Sequence, residues 1–271
     1  MTDELDFEQR KARLAGDYSI EAAAYDAYWG PVLADLAVHF VQDIRLAEAQ
    51  TILDVGAGSG SMLRYLQGAT DAMIVGVDRS PGMIALASGR LRAVMDAERL
   101  GFKQASFDTA LAMFVLFHLP DPVAGLREIH RVLTLDGTVA FTTWGNHDSE
   151  FRAYDVFDEV LDRHGAAEGR SLYARHELSD TPDKCAALLE ESGFEVSSIR
   201  TERMAHQWTI DHLIGCRTQL GYGRVRWASL DAHARSNVME EGRAALAQLA
   251  ADEMILRDEV IYSMGKAVDK L

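Results

Sequence analysis

The chain has 271 residues, and its 42 acidic and 27 basic side chains give a net charge of −15 at neutral pH. Hydrophobic residues make up 48% of the sequence and charged residues 25%, the proportions of an ordinary globular protein. The acidic balance argues against sequence-independent binding to a phosphate backbone or an anionic membrane surface. We therefore expect a small-molecule substrate and neither a nucleic-acid nor a membrane partner.

We also expect a cytoplasmic protein that is a monomer or a homodimer. No apolar run reaches the roughly 18 residues that a transmembrane helix needs. The charged segment 1–13 lacks the apolar core of a secretory signal. Cys185 and Cys216 form no CxxC pair, so reduced thiols are expected and a four-ligand zinc site is not.

Four of the five prolines directly follow a residue that commonly caps a helix. The pairs are Gly30-Pro31, Ser80-Pro81, Asp121-Pro122 and Thr181-Pro182. Proline is favoured at the first helical position, because the N–H that it lacks would have no helical partner there. The pattern predicts that helices begin at residues 31, 81, 122 and 182.

Short apolar runs alternate with these helical segments. They are Thr51–Val55, Met73–Val77, Leu91–Val94, Thr109–Phe114 and Thr138–Thr143. Continuous apolar runs of this length suit strands that are buried on both faces of a parallel sheet. With two later strands, Phe194–Ala205 and Glu259–Val268, they predict an α/β fold with a doubly wound, Rossmann-like, mostly parallel seven-stranded sheet.

We expect residues 1–271 to form a single domain with five parts. These are an N-terminal helical lid (1–46), a Rossmann-like core (47–145), late core helices and a strand (146–205), a helical lid insertion (206–258) and the last strand (259–271). Segment 14–30 and the insertion are both rich in aromatic residues, which suits the wall of an apolar small-molecule pocket. We expect these two segments to cover the substrate.

The first predicted strand runs directly into a glycine-rich turn, Asp54-Val55-Gly56-Ala57-Gly58-Ser59-Gly60. Glycine permits positive φ and lets a ligand approach the backbone. The N-terminus of the helix behind the turn favours an anionic group. The spacing is not the dinucleotide pattern GxGxxG, because Ser61 stands where the third glycine belongs. A tight strand–helix turn without a ligand is the alternative interpretation.

A second signal lies at the end of the next strand, where Asp78 follows the turn by about twenty residues. In doubly wound folds a carboxylate at this place accepts hydrogen bonds from ribose hydroxyls. An isolated aspartate after a strand usually caps the following helix. Here Ser80 supplies the cap before Pro81, so we expect Asp78 to be free for a ligand.

The frame DxGxGxG of residues 54–60 resembles the first motif of the class I S-adenosylmethionine (SAM) dependent methyltransferases. Later segments resemble further motifs of that family in the same order: Met95 to Phe102, Phe107 to Leu119, Leu126 to Leu133, and Asp136-Gly137. Together they resemble the ubiquinone/menaquinone-biosynthesis-like branch, which acts mainly on small molecules. The resemblance extends weakly to the aromatic residues near the N-terminus and, beyond residue 146, is limited to the type of strand.

This resemblance implies methyl transfer from SAM to a small organic acceptor, with S-adenosylhomocysteine as the product. It also implies a set of cofactor-binding residues: Asp54, Gly56, Ala57, Gly58, Gly60, Asp78, Arg79, Met83, Asp96, Ala97, Glu98, Met113, Phe114, Tyr18 and Trp29. Within this set, Asp96 is expected to accept a hydrogen bond from the exocyclic amine of adenine.

Methyl transfer from a sulfonium has a neutral leaving group, so the enzyme mainly positions the nucleophile and excludes water. The candidate bases are His118, His206 and His212. His118 follows the fourth strand, and a structural role at that corner is the main alternative for it. His206 and His212 are most simply surface histidines. No metal is expected, because His147, Asp148 and Glu150 cluster in a turn without a second set of ligands.

Two other functions stay open on the sequence. One is a protein of the same fold that binds SAM without transferring a methyl group, as a cyclase or a regulatory binding module. The other is an NAD(P)-dependent oxidoreductase, which Ser61 and the DxGxGxG frame disfavour.

Overall fold

A computed structural model describes residues 6–44, 46–89, 91–146, 150–170 and 172–269. Within these ranges the strands are β1 (Thr51–Val55), β2 (Met73–Asp78), β3 (Arg92–Val94), β4 (Phe107–Met113), β5 (Leu133–Trp144), β6 (Phe194–Gln207) and β7 (Ile255–Ala267). They form one sheet with the order β3-β2-β1-β4-β5-β7-β6. The strands β1 to β5 pair in parallel, and β7 runs antiparallel to both β5 and β6. The predicted mostly parallel seven-stranded sheet is confirmed.

The helices before the middle of the chain are α1 (Phe7–Ala24), α2 (Gly30–Val41), α3 (Ser61–Ala69), α4 (Pro81–Leu86) and α5 (Pro122–Val132). The later helices are α6 (Arg152–Arg163), α7 (Pro182–Glu191), α8 (Ile210–Gln219), α9 (Gly221–Ala228) and α10 (Ala232–Leu246). The last three lie between β6 and β7. None of the helices within the described ranges is long and apolar enough to cross a membrane.

Three of the four predicted helix starts are confirmed by hydrogen bonds at their caps. Ser80 Oγ accepts from the Met83 amide at 3.2 Å, Asp121 Oδ1 from Ala124 at 2.9 Å, and Thr181 Oγ1 from Lys184 at 3.3 Å. Each cap satisfies an amide of the first helical turn that has no partner within the helix.

The helix predicted at Pro31 is present, since α2 begins at Gly30, but Gly30 is not its cap. Gly30 has helical dihedrals (φ −53°, ψ −42°), and a π-helical turn, Tyr25–Trp29, joins α1 directly to α2. The Gly30 amide donates to the Tyr25 carbonyl, a π-type bond. A proline inside a regular α-helix clashes with the carbonyl four residues earlier. The wider π turn lets the helical path continue through Pro31.

The late strands are longer than predicted because β6 and β7 pair along their whole length. The register runs from Phe194 opposite Ala267 to Gln207 opposite Ile255. The ladder therefore extends β6 beyond residue 205 and starts β7 four residues before residue 259. The insertion between the two strands shortens accordingly.

The sheet is buried on both faces. Ile52 and Leu111 belong to one apolar cluster, whereas Leu53 and Ala110 belong to the other, and all four are fully buried. This alternation fixes the register of β1 against β4. Because β1, β2 and β4 are parallel, their carboxyl ends meet at one edge of the sheet.

The N-terminal helix α1 is tied to the later part of the chain by buried ion pairs. Arg224 Nε lies 2.6 Å from Glu21 Oε1, and Arg170 Nη2 lies 2.9 Å from Asp17 Oδ2. Glu21 is 2% exposed, so this contact is a fixed part of the packing. The two predicted lid segments therefore pack against each other across the carboxyl edge of the sheet.

Candidate functional site

The glycine turn after β1 has the backbone conformation that only glycine adopts without strain. Gly56, Gly58 and Gly60 have φ values of 70°, 54° and 84°. A Cβ at Gly56 would lie 2.2 Å from Val115 Cγ2, whereas a Cβ at Gly58 would meet no atom within 4 Å. The backbone of Gly58 therefore borders open space in which a ligand can approach.

Asp78, at the end of β2, binds the glycine turn to its own strand. Its Oδ2 accepts from the Gly58 amide at 2.9 Å, and its Oδ1 accepts from the Ser80 amide at 2.7 Å. The expectation that the Ser80 cap leaves Asp78 free was therefore incomplete, since two protein amides already bind its carboxylate. Burial raises the pKa of Asp78, and the two amides oppose that rise. Each carboxylate oxygen keeps acceptor capacity for a ligand hydroxyl.

Asp54, in β1, is 1% exposed, and its Oδ2 has no hydrogen-bond partner in the described part of the chain. Burial, with the charge of Asp78 adding to it, raises the pKa of Asp54 to about 8. An unpartnered buried oxygen costs about 1–3 kcal/mol. A ligand that brings a donor or a positive charge to Asp54 would remove that cost.

Two cavities border these carboxylates, and a third lies next to them. The first, about 130 Å³, is bordered by Gly58, Asp78 and Asp96, and the second, about 60 Å³, by Gly58 and Asp54. A third cavity of about 210 Å³ lies between α1 and α8–α9. Tyr25 borders all three, so the cavities are neighbours at the carboxyl edge of the sheet.

Asp96, just after β3, is engaged by two cations. Its Oδ2 accepts from Lys11 Nζ at 2.9 Å and forms a short ion pair with Arg79, and its Oδ1 accepts from the Glu98 amide at 3.0 Å. Burial alone would raise the pKa of Asp96, but the bonds from Lys11 and Glu98 and the charge of Arg79 hold it below its usual value. Asp96 is therefore an ionised acceptor on the wall of the first cavity.

His118 is held between two partners at the mouth of the first cavity. Its Nδ1 lies 2.9 Å from the Tyr173 carbonyl, which only accepts, so Nδ1 carries the proton. Its Nε2, 2.9 Å from the Tyr18 hydroxyl, then accepts from that hydroxyl. Burial lowers the pKa of His118 to about 4. At neutral pH His118 is uncharged and a weak base. This favours a role in positioning the Tyr18 hydroxyl over a role as the base that takes a proton from the acceptor.

Comparison with known proteins identifies the family. Residues 53–141 match the family described as methyltransferase domain. The chain is 34% identical over 109 residues to the ubiquinone/menaquinone biosynthesis C-methyltransferase of Geotalea uraniireducens, covering 36% of this chain and 46% of that protein. It is 30% identical over 163 residues to the demethylmenaquinone methyltransferase of Deinococcus radiodurans, covering 53% of this chain and 67% of that protein. The chain belongs to the class I SAM-dependent methyltransferase family.

The fold of this methyltransferase-family chain has matching solved structures. One is phosphoethanolamine N-methyltransferase 2 of Haemonchus contortus in complex with phosphomonomethylethanolamine and S-adenosylhomocysteine. The TM-score is 0.55 at 17% identity, covering 98% of this chain and 61% of that chain. The alignments with the curated relatives are shorter than this structural alignment. The chain spans about half the length of the first curated relatives that it matches. The family resemblance predicted from the motifs is confirmed.

Most of the predicted cofactor-binding residues border the first two cavities. They are Tyr18, Asp54, Gly56, Ala57, Gly58, Asp78, Arg79, Met83, Asp96, Ala97, Met113 and Phe114. The other three lie elsewhere. Gly60 is the N-cap of α3, Glu98 accepts from Lys11 Nζ at 2.7 Å, and Trp29 borders the third cavity and stacks on Trp208.

One residue of this site, Lys11, escapes prediction from the sequence. Lys11 lies 85 residues before its partner Asp96, and no local pattern links them. Tyr25, by contrast, belongs to the aromatic segment 14–30 that is predicted to cover the substrate, and it borders all three cavities. The rings of His206 and His212 pack on Trp208 and Tyr28 and border none of the three cavities.

No potential metal site appears among the described residues. Of the residues considered for one, His147 and Asp148 lie outside the described ranges. Cys185 and Cys216 are both buried, unpaired thiols. Burial raises the pKa of Cys216 to about 12, so its thiol is uncharged on the wall of the third cavity.

Proposed function

We propose that the chain is an enzyme that transfers the methyl group of SAM to a small organic acceptor. The observation that carries the proposal is the unpartnered carboxyl oxygen of Asp54, buried near Asp78 at the glycine turn and bordering the second cavity. Most buried polar atoms of folded proteins have a hydrogen-bond partner, so an unpartnered oxygen at the wall of a cavity supports a ligand that supplies the donor. The third cavity supplies room for an acceptor next to the cofactor.

The residues present suit the parts of SAM. Asp78 would accept from the ribose hydroxyls, and Asp96 would accept from the adenine amine beside Ala97 and Met83. Asp54 would accept from the ammonium of the methionine part, which brings the positive charge that a buried carboxylate needs. The N-terminus of α3 favours the carboxylate of that same part.

When bound, SAM supplies an electrophilic methyl group on a sulfonium. The acceptor's lone pair would form the bond to the methyl carbon as the carbon–sulfur bond breaks and its electron pair stays on sulfur. A proton on the acceptor would pass to bulk water when the site opens to release the products. The protein aligns the two reactants and excludes water with α1 and α8–α9. His118, with its low pKa, fixes the Tyr18 hydroxyl at the boundary between the first and third cavities.

The proposal also includes a cytoplasmic location, supported by the buried unpaired thiols, and a small acceptor rather than a nucleic acid, supported by the net charge of −15. The oligomeric state, a monomer or a homodimer, would follow from sedimentation of the purified protein.

Calorimetric titration of the purified protein with SAM, S-adenosylhomocysteine and NAD tests the proposal. We expect the first two ligands to bind and NAD not to bind. S-adenosylhomocysteine should then accumulate when SAM is incubated with an acceptor panel. NAD binding would overturn the proposal, and SAM binding with no turnover on any acceptor would favour a binding module.

The raised pKa of Asp54 predicts that SAM binding releases a proton. At pH 7 a carboxyl with a pKa of about 8 is about 90% protonated, and pairing with the ammonium would ionise it. About 0.9 proton should therefore be released at pH 7 and almost none above pH 9. Titration in buffers of different ionisation enthalpy measures this number.

Asp54→Asn provides the matched control, because it keeps the size of the side chain and removes its ionisation. We expect the variant to bind SAM without proton release. The same linkage affects folding in the ligand-free protein. Because the folded pKa of Asp54 lies above the unfolded value, its contribution lowers stability as pH rises from about 4 to about 8. Equal proton release by the variant and the wild type would contradict the role of Asp54.

A further inference from the structure

We propose that the third cavity is the acceptor subsite and that it takes an uncharged acceptor with a single aromatic ring and a carbonyl oxygen, which binds to Arg217. The proposal rests on the proposed function, since it names the substrate class of that site.

The walls of this cavity are mainly aromatic. Tyr18, Tyr25 and Trp29 come from the N-terminal helical segment, and Tyr154 and Tyr222 come from α6 and α9. Aromatic faces and edges pack favourably against another ring. The volume is about 210 Å³, and a cavity of about 150 Å³ is known to hold benzene. One substituted ring therefore fills the space.

The charges on the wall favour an uncharged ligand. The charged side chains that border the cavity are Glu21 and Arg217, and each already has an opposite charge. Glu21 is paired with Arg224, and Arg217 is paired with Asp158 through Nη2. A carboxylate ligand would meet the charge of Glu21, and an ammonium ligand would meet the charge of Arg217. Either ion would lose water without gaining an unpaired counter-charge.

Arg217 nevertheless has donors left for a ligand. Its guanidinium carries five N–H donors, and its hydrogen bonds within the described ranges use Nη2 alone, toward Asp158. Nε is buried and has almost no accessible surface, so the donors left for a ligand are those of Nη1. The guanidinium is held over the rings of Tyr154 and Tyr222, at 4.7 and 5.9 Å from their centroids. A carbonyl oxygen would accept from this fixed donor without adding charge.

The subsite lies directly beside the cofactor region. Tyr18 and Tyr25 border both the first and the third cavity. A ring whose carbonyl lies against Arg217 would place its other end at these two tyrosines. The nucleophilic atom would then face the first cavity, where the cofactor is proposed to bind.

Three phenols of similar size test the substrate class by calorimetry with S-adenosylhomocysteine present. 4-Hydroxyacetophenone carries the carbonyl, 4-ethylphenol lacks it, and 4-hydroxybenzoate replaces it with a carboxylate. We expect 4-hydroxyacetophenone to bind about tenfold more tightly than either of the others, the difference that a hydrogen bond to a charged donor gives. Equal binding of all three, or tightest binding of the carboxylate, would overturn the proposal.

Two arginine variants test whether the carbonyl oxygen of the acceptor binds to Arg217. Arg217→Lys keeps a charge for Asp158 but loses the planar set of donors, so the preference for 4-hydroxyacetophenone over 4-ethylphenol should fall to within about twofold. Arg243→Lys is the matched control, because Arg243 is half-exposed and pairs with Asp211 outside the cavity. This control should keep the full preference. Retention of the preference in Arg217→Lys would overturn the assignment of Arg217.

A cavity-filling variant separates the subsite from the cofactor region. Leu172→Trp should abolish binding of all three phenols and leave S-adenosylhomocysteine binding within about twofold, because Leu172 borders only the third of the three cavities. Leu135→Trp, at an exposed position near the opposite end of the sheet, should change neither. Phenol binding that survives Leu172→Trp would overturn the location. Failure of the wild type to bind S-adenosylhomocysteine would instead count against the proposed function.

Discussion

Replacement of Asp78 by alanine should weaken SAM binding about 10- to 150-fold. A charge-assisted hydrogen bond contributes about 1.5–3 kcal/mol, and Asp78 would lose its bond to the ribose. The effect should lie toward the upper end, because Asp78 also accepts from the Gly58 amide and so holds the glycine turn in place. Calorimetric titration with SAM measures the change.

Asp121→Ala is the control for Asp78→Ala. Asp121, like Asp78, accepts from a backbone amide, in its case that of Ala124 at the start of α5, but it borders none of the three cavities. Its loss should lower the free energy of unfolding by about 1 kcal/mol and leave SAM binding unchanged. If Asp78→Ala bound SAM within twofold of the wild type, the ribose assignment would be refuted.

Replacement of Gly56 by alanine should lower the free energy of unfolding by about 2–5 kcal/mol. The backbone there has φ 70°, which costs a residue with a Cβ about 1–2 kcal/mol. The new Cβ would also lie 2.2 Å from Val115 Cγ2, and overpacking of this kind costs about 1–3 kcal/mol. Urea unfolding followed by circular dichroism measures the loss.

Gly58→Ala separates the backbone cost of a positive φ from the steric cost of the contact with Val115. Gly58 has φ 54° but open space around it, so only the backbone cost of about 1–2 kcal/mol should appear. Adding Val115→Ala to Gly56→Ala should recover part of the steric loss. Equal destabilisation by Gly56→Ala and Gly58→Ala would show that the contact with Val115 is unimportant.

Features that depend on neighbouring residues could be predicted from the sequence. The caps at Ser80, Asp121 and Thr181 are short-range hydrogen bonds, so the residue types alone indicate them. The glycine turn and Asp78 could be placed together because parallel strands bring their carboxyl ends to one edge. The cofactor region of the site was therefore largely predictable.

Features that depend on distant contacts could not be predicted. The ion pairs of Lys11 with Asp96 and of Arg217 with Asp158 join segments whose approach is set by the packing of the helices. The cap predicted at Gly30 is wrong for a different reason, because the π turn before it continues the helical path into α2. The length of β7 depends on β6, its partner across the insertion.

The ion pair between Glu21 and Arg224 has a consequence for the order in which the protein is made. The two residues are 203 positions apart, so α1 leaves the ribosome long before its partner exists. At about 5–20 residues per second this interval lasts about 10–40 s. The sheet from β1 to β5 can form during that time, whereas the wall between α1 and α9 cannot. A nascent chain would therefore acquire the cofactor region first and the third cavity only near the end of translation.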